Sequence, residues 1–404
     1  MPTASFSWLH LTDLHLGMPG LPHLWPRMEE KFFDDLATLH AKSGPWDLVL
    51  FTGDLTYQGD PEEFQKADKL LEKLWNRLKT LGSTPFLLAV PGNHDLTRAV
   101  PSLPEVVLLQ EWSTRPAIRS EFWDKPGSPY RRVVKKAFQN YMAWWDRQPL
   151  KPPNVNLGML PGDFSVSIEK ATARLGIVGL NTTFLQLTGG DYEEKLALSA
   201  RQFHAACGRD SGPEWAREHH VCLLLSHQPS QWLTRDCQEE FNSEIADPRQ
   251  FAVHLFGHMH EAHYTVIAEG GGEPRSFWQG RSLFGLESFI GKMGTEIERL
   301  HGYSVGKIDL DENDTGSLMF WPREARRIQG GFWKVAPDYS YDLTNDSTKP
   351  QPVRLLRSFG SAAGIGPKPD AVVIVVYSQA ERLLQSTADW EGREVSFRPL
   401  KKEE

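Results

Sequence analysis

Cysteine is scarce in this sequence: Cys207, Cys222 and Cys237 are the only three, and no two of them form a CxxC pair. So few and so scattered, they argue against a disulfide framework and a thiolate zinc site, and they suit a reducing cytosol. No apolar run approaches the length of a membrane span. The first residues lack the basic stretch of a secretory signal and enter a strand pattern at once. The expectation is a cytoplasmic protein with no membrane partner. An excess of positive charge is missing too. Lys and Arg number 44 against 52 Asp and Glu, giving a net charge of −8 with the two signs mixed along the chain. That balance speaks against strong non-specific binding of nucleic acid but leaves room for a local basic groove.

A chain of 404 residues is long enough for one large domain with embellishments or for two domains, with roughly three quarters of its unfolded surface buried. Short apolar strands, each followed by a polar cluster, recur through the first two-thirds: Phe6 to Leu11, Leu48 to Phe51, Phe86 to Val90, Val221 to Leu225 and Ala252 to Phe256. Between the first three lie segments with apolar residues at helical spacing, Trp25 to Lys42 and Glu62 to Leu81. Strand–helix alternation of this kind predicts a layered α/β domain. Residues 101–161 interrupt the pattern with Pro, Trp and Arg, and Val133 to Trp145 reads as one amphipathic helix. An insertion of that length between core strands suits a lid or cap. Trp112, Trp123, Trp144 and Trp145, with Arg131 and Arg132, are candidates for a base-stacking, phosphate-contacting surface on it, against the plainer reading of packing onto the domain. Phe164 to Ile168 and Leu175 to Leu180 read as a hairpin, and Gly270 to Gly272 as the tip of another. The main domain is expected over residues 1–338. Residues 339–404 are expected to form a linker or wrapping tail and then a short β/α extension, with a strand at Ala371 to Tyr377, either an edge addition or the start of a further module.

Five polar clusters close five of these strands: Asp13-Leu-His15, Gly53-Asp54, Gly92-Asn93-His94-Asp95, Ser226-His227 and Gly257-His258-Met-His260. Loops at the carboxyl ends of sheet strands converge on one edge, and residues two apart on an extended chain point to one side. Asp13/His15 and His258/His260 are therefore paired candidate ligands. One such cluster alone would be an ordinary strand end; five in this order make a metal site the leading expectation.

This series resembles the calcineurin-like metallophosphoesterase superfamily, whose signature is D-x-H, G-D, G-N-H-[D/E], H and G-H-x-H; the resemblance runs from Trp8 to His260. It implies a four-layer αββα sandwich with two metal ions at the strand ends. Asp13, His15, Asp54 and His260 would hold the first ion. Asp54 would bridge to the second, completed by Asn93, His227 and His258. His94 would be the catalytic histidine, oriented by Asp95. Mixed nitrogen and oxygen ligands suit Mn, Fe, Zn or Co better than Ca or Mg, and two such ions acidify a bridging water that attacks the phosphate.

The stretch Gly53 to Gly59 with Glu62-Glu63-Phe64 resembles class III cyclic-nucleotide and glycerophosphodiester phosphodiesterases. His10 to Gly17 resembles the opening of double-strand-break repair nucleases. The longer similarity favours a nucleotide-type phosphodiester substrate, with a DNA or RNA nuclease, or a phosphoesterase module of a larger regulated assembly, as alternatives. Gln228 stands where many relatives carry a second histidine. Asn181, closing a strand, and Arg98, just past the His94 cluster, are further candidate substrate contacts, each equally readable as a turn residue or a solvated arginine. His10 and His254, inside apolar strands, read as core histidines.

Overall fold

The computed structural model describes residues 2–359, apart from 20, 209–210, 269, 292–293, 312, 314 and 331. Three parallel strands, Ala4–Leu11, Leu48–Thr52 and Phe86–Val90, form one half of a seven-stranded sheet. Every residue of Leu48–Thr52 is buried. That explains why this strand reads as an unbroken apolar run: a parallel strand covered on both faces has no polar side to show. The helices Leu21–Ser43 and Pro61–Leu81 make the crossovers. The second is set by its ends. Glu63 accepts the N–H groups of Tyr57, Gln58 and Asp60 ahead of it, and Gly82, at φ 94°, closes it in the left-handed conformation.

On the other side of Ala4–Leu11 the sheet turns antiparallel, through Gly302–Leu310, Thr315–Arg327 and Trp333–Pro337. Arg323 and Tyr303 on these strands both donate to the buried carboxylate of Asp35, tying the first helix to the sheet. Past a small hairpin of Leu343–Thr344 with Ser347–Thr348, the chain returns to the same sheet at Gln351–Arg354, which pairs with Thr315–Arg327. The strand expected at Ala371 to Tyr377 lies outside the described residues.

The second seven-stranded sheet runs in the order Asn156–Leu157, Phe164–Lys170, Ala173–Gly179, Val221–Leu225, Val253–Phe256, Arg275–Gln279, His263–Ile267. Both expected hairpins are present, Phe164–Lys170 with Ala173–Gly179 and His263–Ile267 with Arg275–Gln279. The sheets meet face to face through aromatic side chains. Trp278 of the second stacks on Phe320 of the first, with ring centroids 3.8 Å apart and planes at 9°. The architecture is the αββα sandwich.

The insertion differs from its reading in two ways. Val133 to Trp145 is not one helix: Pro129–Ala137 and Gln139–Asp146 meet at Phe138, whose backbone (φ −93°, ψ 11°) leaves the helical region. The buried residues Tyr130, Val134, Ala137, Tyr141 and Trp144 keep helical spacing across the break, so periodicity gave no sign of it, and no Gly or Pro marks it. The tryptophans, moreover, form no stacking surface. Trp112, Trp144 and Trp145 are buried. Trp144 stacks on Phe64 and donates to Asp68, while Trp112 packs edge-on to Phe122 and Phe184. Arg131 lies over the Phe122 ring and donates to the Met159 carbonyl, and Arg132 donates to the Gly127 carbonyl. Trp112 and Trp144 thus hold the insertion to the domain, and the two arginines brace it from within.

Candidate functional site

The loops that follow the five strands are laced together by their backbones. Asp13 N–H donates to the Gly53 carbonyl, Leu14 and His15 N–H to the Asp54 carbonyl, and Gly257 N–H to the His227 carbonyl. The chain bends hard to do this. Asp13, His15, Asp54, His258 and His260 all have positive φ, between 51° and 72°, a region that non-glycine residues enter at a cost and that Asp, Asn and His enter most readily. The glycines are needed for close approach: a Cβ on Gly92 would lie 2.1 Å from Asp54 Oδ1, and one on Gly257 would lie 1.9 Å from Thr12 Oγ1.

Three groups of ligand atoms result: Asp13/His15/His260, His15/Asp54/His94 and Asp54/His227/His258. Asp54 joins them, its Oδ2 lying 3.3 Å from His15 Nε2 and 3.3 Å from His227 Nε2. Around His227 Nε2 stand Asn93 Oδ1 at 3.1 Å and His258 Nδ1 at 3.2 Å. His227 Nδ1 donates to the Thr52 carbonyl at 2.7 Å, which turns Nε2 toward the other acceptors. On the far side of Asp54, Asp13 Oδ2 accepts from Thr12 Oγ1 and from His258 N–H, while its buried Oδ1 has no hydrogen-bond partner and lies 3.6 Å from His260 Nε2. Converging acceptors and an orphaned carboxylate oxygen at the centre of a fold need positive charge between them. The residues therefore fit two cations sharing Asp54, with nitrogen and oxygen donors suited to Mn, Fe or Zn.

The electrostatics say the same. Burial opposes ionisation of Asp54, yet His227, His94 and His15 around it hold its carboxyl well below the usual range. Burial also disfavours charge on His227, but Asp54 outweighs it and raises the imidazole to about 9. Burial and the neighbouring His227 keep His258 neutral. The cluster attracts cations. His10 and His254 contrast with it: buried away from any carboxylate, each is lowered to about 3 and hydrogen-bonds a hydroxyl, of Thr52 and Ser226 respectively.

His94 sits at the rim of this cluster, but Asp95 does not orient it. Asp95 accepts from Thr56 N–H, Thr56 Oγ1 and Gly92 N–H, and burial together with the charge of Asp54 pushes it up to about 6. The expected Asp–His pair is replaced by a backbone contact: His94 Nδ1 donates to the Tyr57 carbonyl at 2.7 Å, and the Tyr57 ring stacks on the imidazole, with centroids 5.3 Å apart. Asp95 cannot turn to His94 while it pins the loops on either side. Tyr57 lies inside the segment after Asp54 that the sequence singled out, but a role played by its carbonyl leaves no side-chain signature.

Asn181 is buried, with Nδ2 on the Pro161 carbonyl and Oδ1 on Thr183, so its amide is engaged within the fold. Arg98 directs Nη1 to the carbonyls of Gln186 and Thr188. Gln228 hydrogen-bonds Thr182 and Gln186 and reaches Asn93 Oδ1 at 3.5 Å.

The sequence profile of the calcineurin-like phosphoesterases matches residues 6–262. No curated protein matches the sequence. Among solved structures, a purple acid phosphatase from yellow lupin (Lupinus luteus) seeds aligns at 11% identity and TM-score 0.43, covering 88% of this chain and 54% of its own. A Staphylococcus aureus protein described as a 5′-nucleotidase aligns at 12% and 0.37, covering 85% and 56%. The anchor protein of the Plasmodium inner membrane complex aligns at 10% and 0.38, covering 83% and 88%. The chain thus spans about half the length of the first two. Among the described residues no helix is long and apolar enough to cross a membrane.

Proposed function

Since this chain belongs to the calcineurin-like phosphoesterases, we propose that it hydrolyses phosphodiesters of the nucleotide type at a dinuclear metal centre built on Asp54. The carrying observation is the placement of one Asp54 oxygen 3.3 Å from an imidazole nitrogen on each side. Asp13, His15 and His260 complete the first site with Asp54; Asn93, His227 and His258 complete the second. Ions bound there supply Lewis-acid charge to the phosphoryl oxygens and to the attacking water.

The chain's own residues do the rest. Thr52 fixes the His227 tautomer through its carbonyl, and Thr12 holds Asp13 Oδ2 so that Oδ1 faces inward. His94, its Nδ1 held on the Tyr57 carbonyl, stands beside His15 and Asp54, where in this reading its Nε2 hands a proton to the departing oxygen. No serine or cysteine nucleophile is required.

A screen of the Mn²⁺-loaded protein tests the diester reading. Bis-p-nitrophenyl phosphate and cyclic nucleotides should turn over faster than p-nitrophenyl phosphate. Turnover of the monoester alone would refute the diester preference, and cleavage of single-stranded DNA ahead of every small diester would assign a nuclease instead.

Metal binding should also be visible without turnover. An ion that binds only the folded chain stabilises it by about 2.7 kcal/mol at a hundredfold excess over Kd. Mn²⁺ should therefore raise the thermal midpoint, EDTA should reverse the rise, and the gain should shrink from pH 8 to pH 6 as protons compete for the imidazoles. A midpoint indifferent to both Mn²⁺ and EDTA would remove the metal centre from the reading.

A further inference from the structure

A groove of about 360 Å³ opens beside the second-ion residues. Pro229, two residues past His227, and Met259, between His258 and His260, form its inner end. The ring of Trp232 lines it and stands edge-on against the His258 imidazole, with centroids 4.1 Å apart and planes at 88°. Farther out, Phe256 and Phe277 from two adjacent strands give it an aromatic floor. Met259 is 42% exposed although it is apolar and flanked by two candidate ligands, so the loop that carries the imidazoles also leaves a soft apolar surface open at the mouth.

The rim is polar and nearly balanced in charge. Arg275 donates to Asn242 Oδ1 at 2.8 Å, Gln279 donates through Nε2 to the Glu261 carbonyl, and Glu193 also lines the groove. An aromatic floor with amide groups at its edge suits a flat, uncharged heterocycle with hydrogen-bonding edges. A polyanionic strand would need a track of cations, and a lipid chain would need a rim free of amides. The volume is that of a site for one small molecule.

We propose that this groove is the subsite for the nucleobase of a nucleotide substrate whose phosphate lies at the Asp54 cluster. The inference rests on the phosphoesterase reading of that cluster, but not on the preference for diesters over monoesters. It moves base recognition away from the insertion, three of whose four tryptophans are buried, to Trp232 and the strands after His227 and His260.

The test is calorimetric binding to the Mn²⁺-loaded protein, using non-hydrolysable 5′-methylenephosphonates of adenosine and of ribose. Adenosine should bind about 10–100-fold more tightly than ribose, the range expected for stacking one base. Thr265 lines the groove opposite Phe277 across the strand pair. Thr265→Trp should fill the groove and bring the two affinities close together, and Phe277→Ala should shrink the difference in part. Should Thr265→Trp fail to give the wild-type circular dichroism, Phe277→Ala carries the test alone. Equal binding of the two analogues by the wild type, or a preference untouched in a folded variant, would overturn the groove assignment and leave the metal site standing. Binding of neither analogue would defeat the phosphoesterase reading along with it.

Discussion

Asp54→Asn should release at least one of the two ions and lower turnover of any phosphoester by about 10³-fold or more, the scale on which a unit acting together loses a shared member. The size of the effect follows from position. Asp54 Oδ2 faces His15 on one side and His227 on the other, so weakening this one carboxylate loosens both sites at once. An amide also cannot supply the negative charge that offsets two cations. The substitution is chosen to spare the fold: Asp54 sits at φ 56°, a conformation Asn accepts as readily as Asp. The amide oxygen can keep the Oδ1 contact to His94 N–H. Elemental analysis beside circular dichroism reads the outcome. A folded variant that still holds two ions per chain would take the bridging role from Asp54.

His94→Ala should leave metal content intact and lower kcat by about 10²–10⁴-fold, the span for loss of an acid–base group. The structure separates the side chain from the scaffold. The backbone N–H of His94 donates to Asp54 Oδ1 at 2.7 Å and survives the substitution, whereas the imidazole meets the Tyr57 carbonyl and ring and stands edge-on to His15. A leaving group that departs without help needs no proton. The loss should therefore be smaller for p-nitrophenyl esters than for alkyl esters. If the variant lost an ion, His94 would belong among the ligands, as its nearness to His15 and Asp54 allows. An equal loss for both ester types would mean that it stabilises charge rather than transferring a proton.

The sandwich and its cluster were largely legible because each rests on local grammar. Leu48–Thr52 and Val221–Leu225 are apolar throughout and end in a polar group, and such strands have few places to go except the middle of a covered sheet. What remained hidden depends on relations that sequence spacing does not carry. The bend at Phe138 falls within an unbroken helical period. Asp95 stands next to His94 but faces Thr56 and Gly92, because adjacency in the chain says nothing about direction once the backbone turns. The tryptophans of the insertion looked like a surface for ligands, yet partners 72 and 80 residues away, Phe184 for Trp112 and Phe64 for Trp144, pack over two of the buried ones. Trp232, five residues past His227 in no motif at all, reaches the site.

The left-handed turns at Asp13, His15, Asp54, His258 and His260 bear on how such a protein can change over generations. Asp, Asn and His are the side chains that tolerate this conformation best after glycine. Their codons differ from one another in the first base alone. A single nucleotide change at any of these five positions can thus exchange one of the three for another without straining the main chain, while altering whether the position grips a cation. Catalysis is then more easily lost than architecture. Descendants that keep the sandwich and its grooves but no longer cleave anything are one mutation away, and a lineage could retain them as binding proteins.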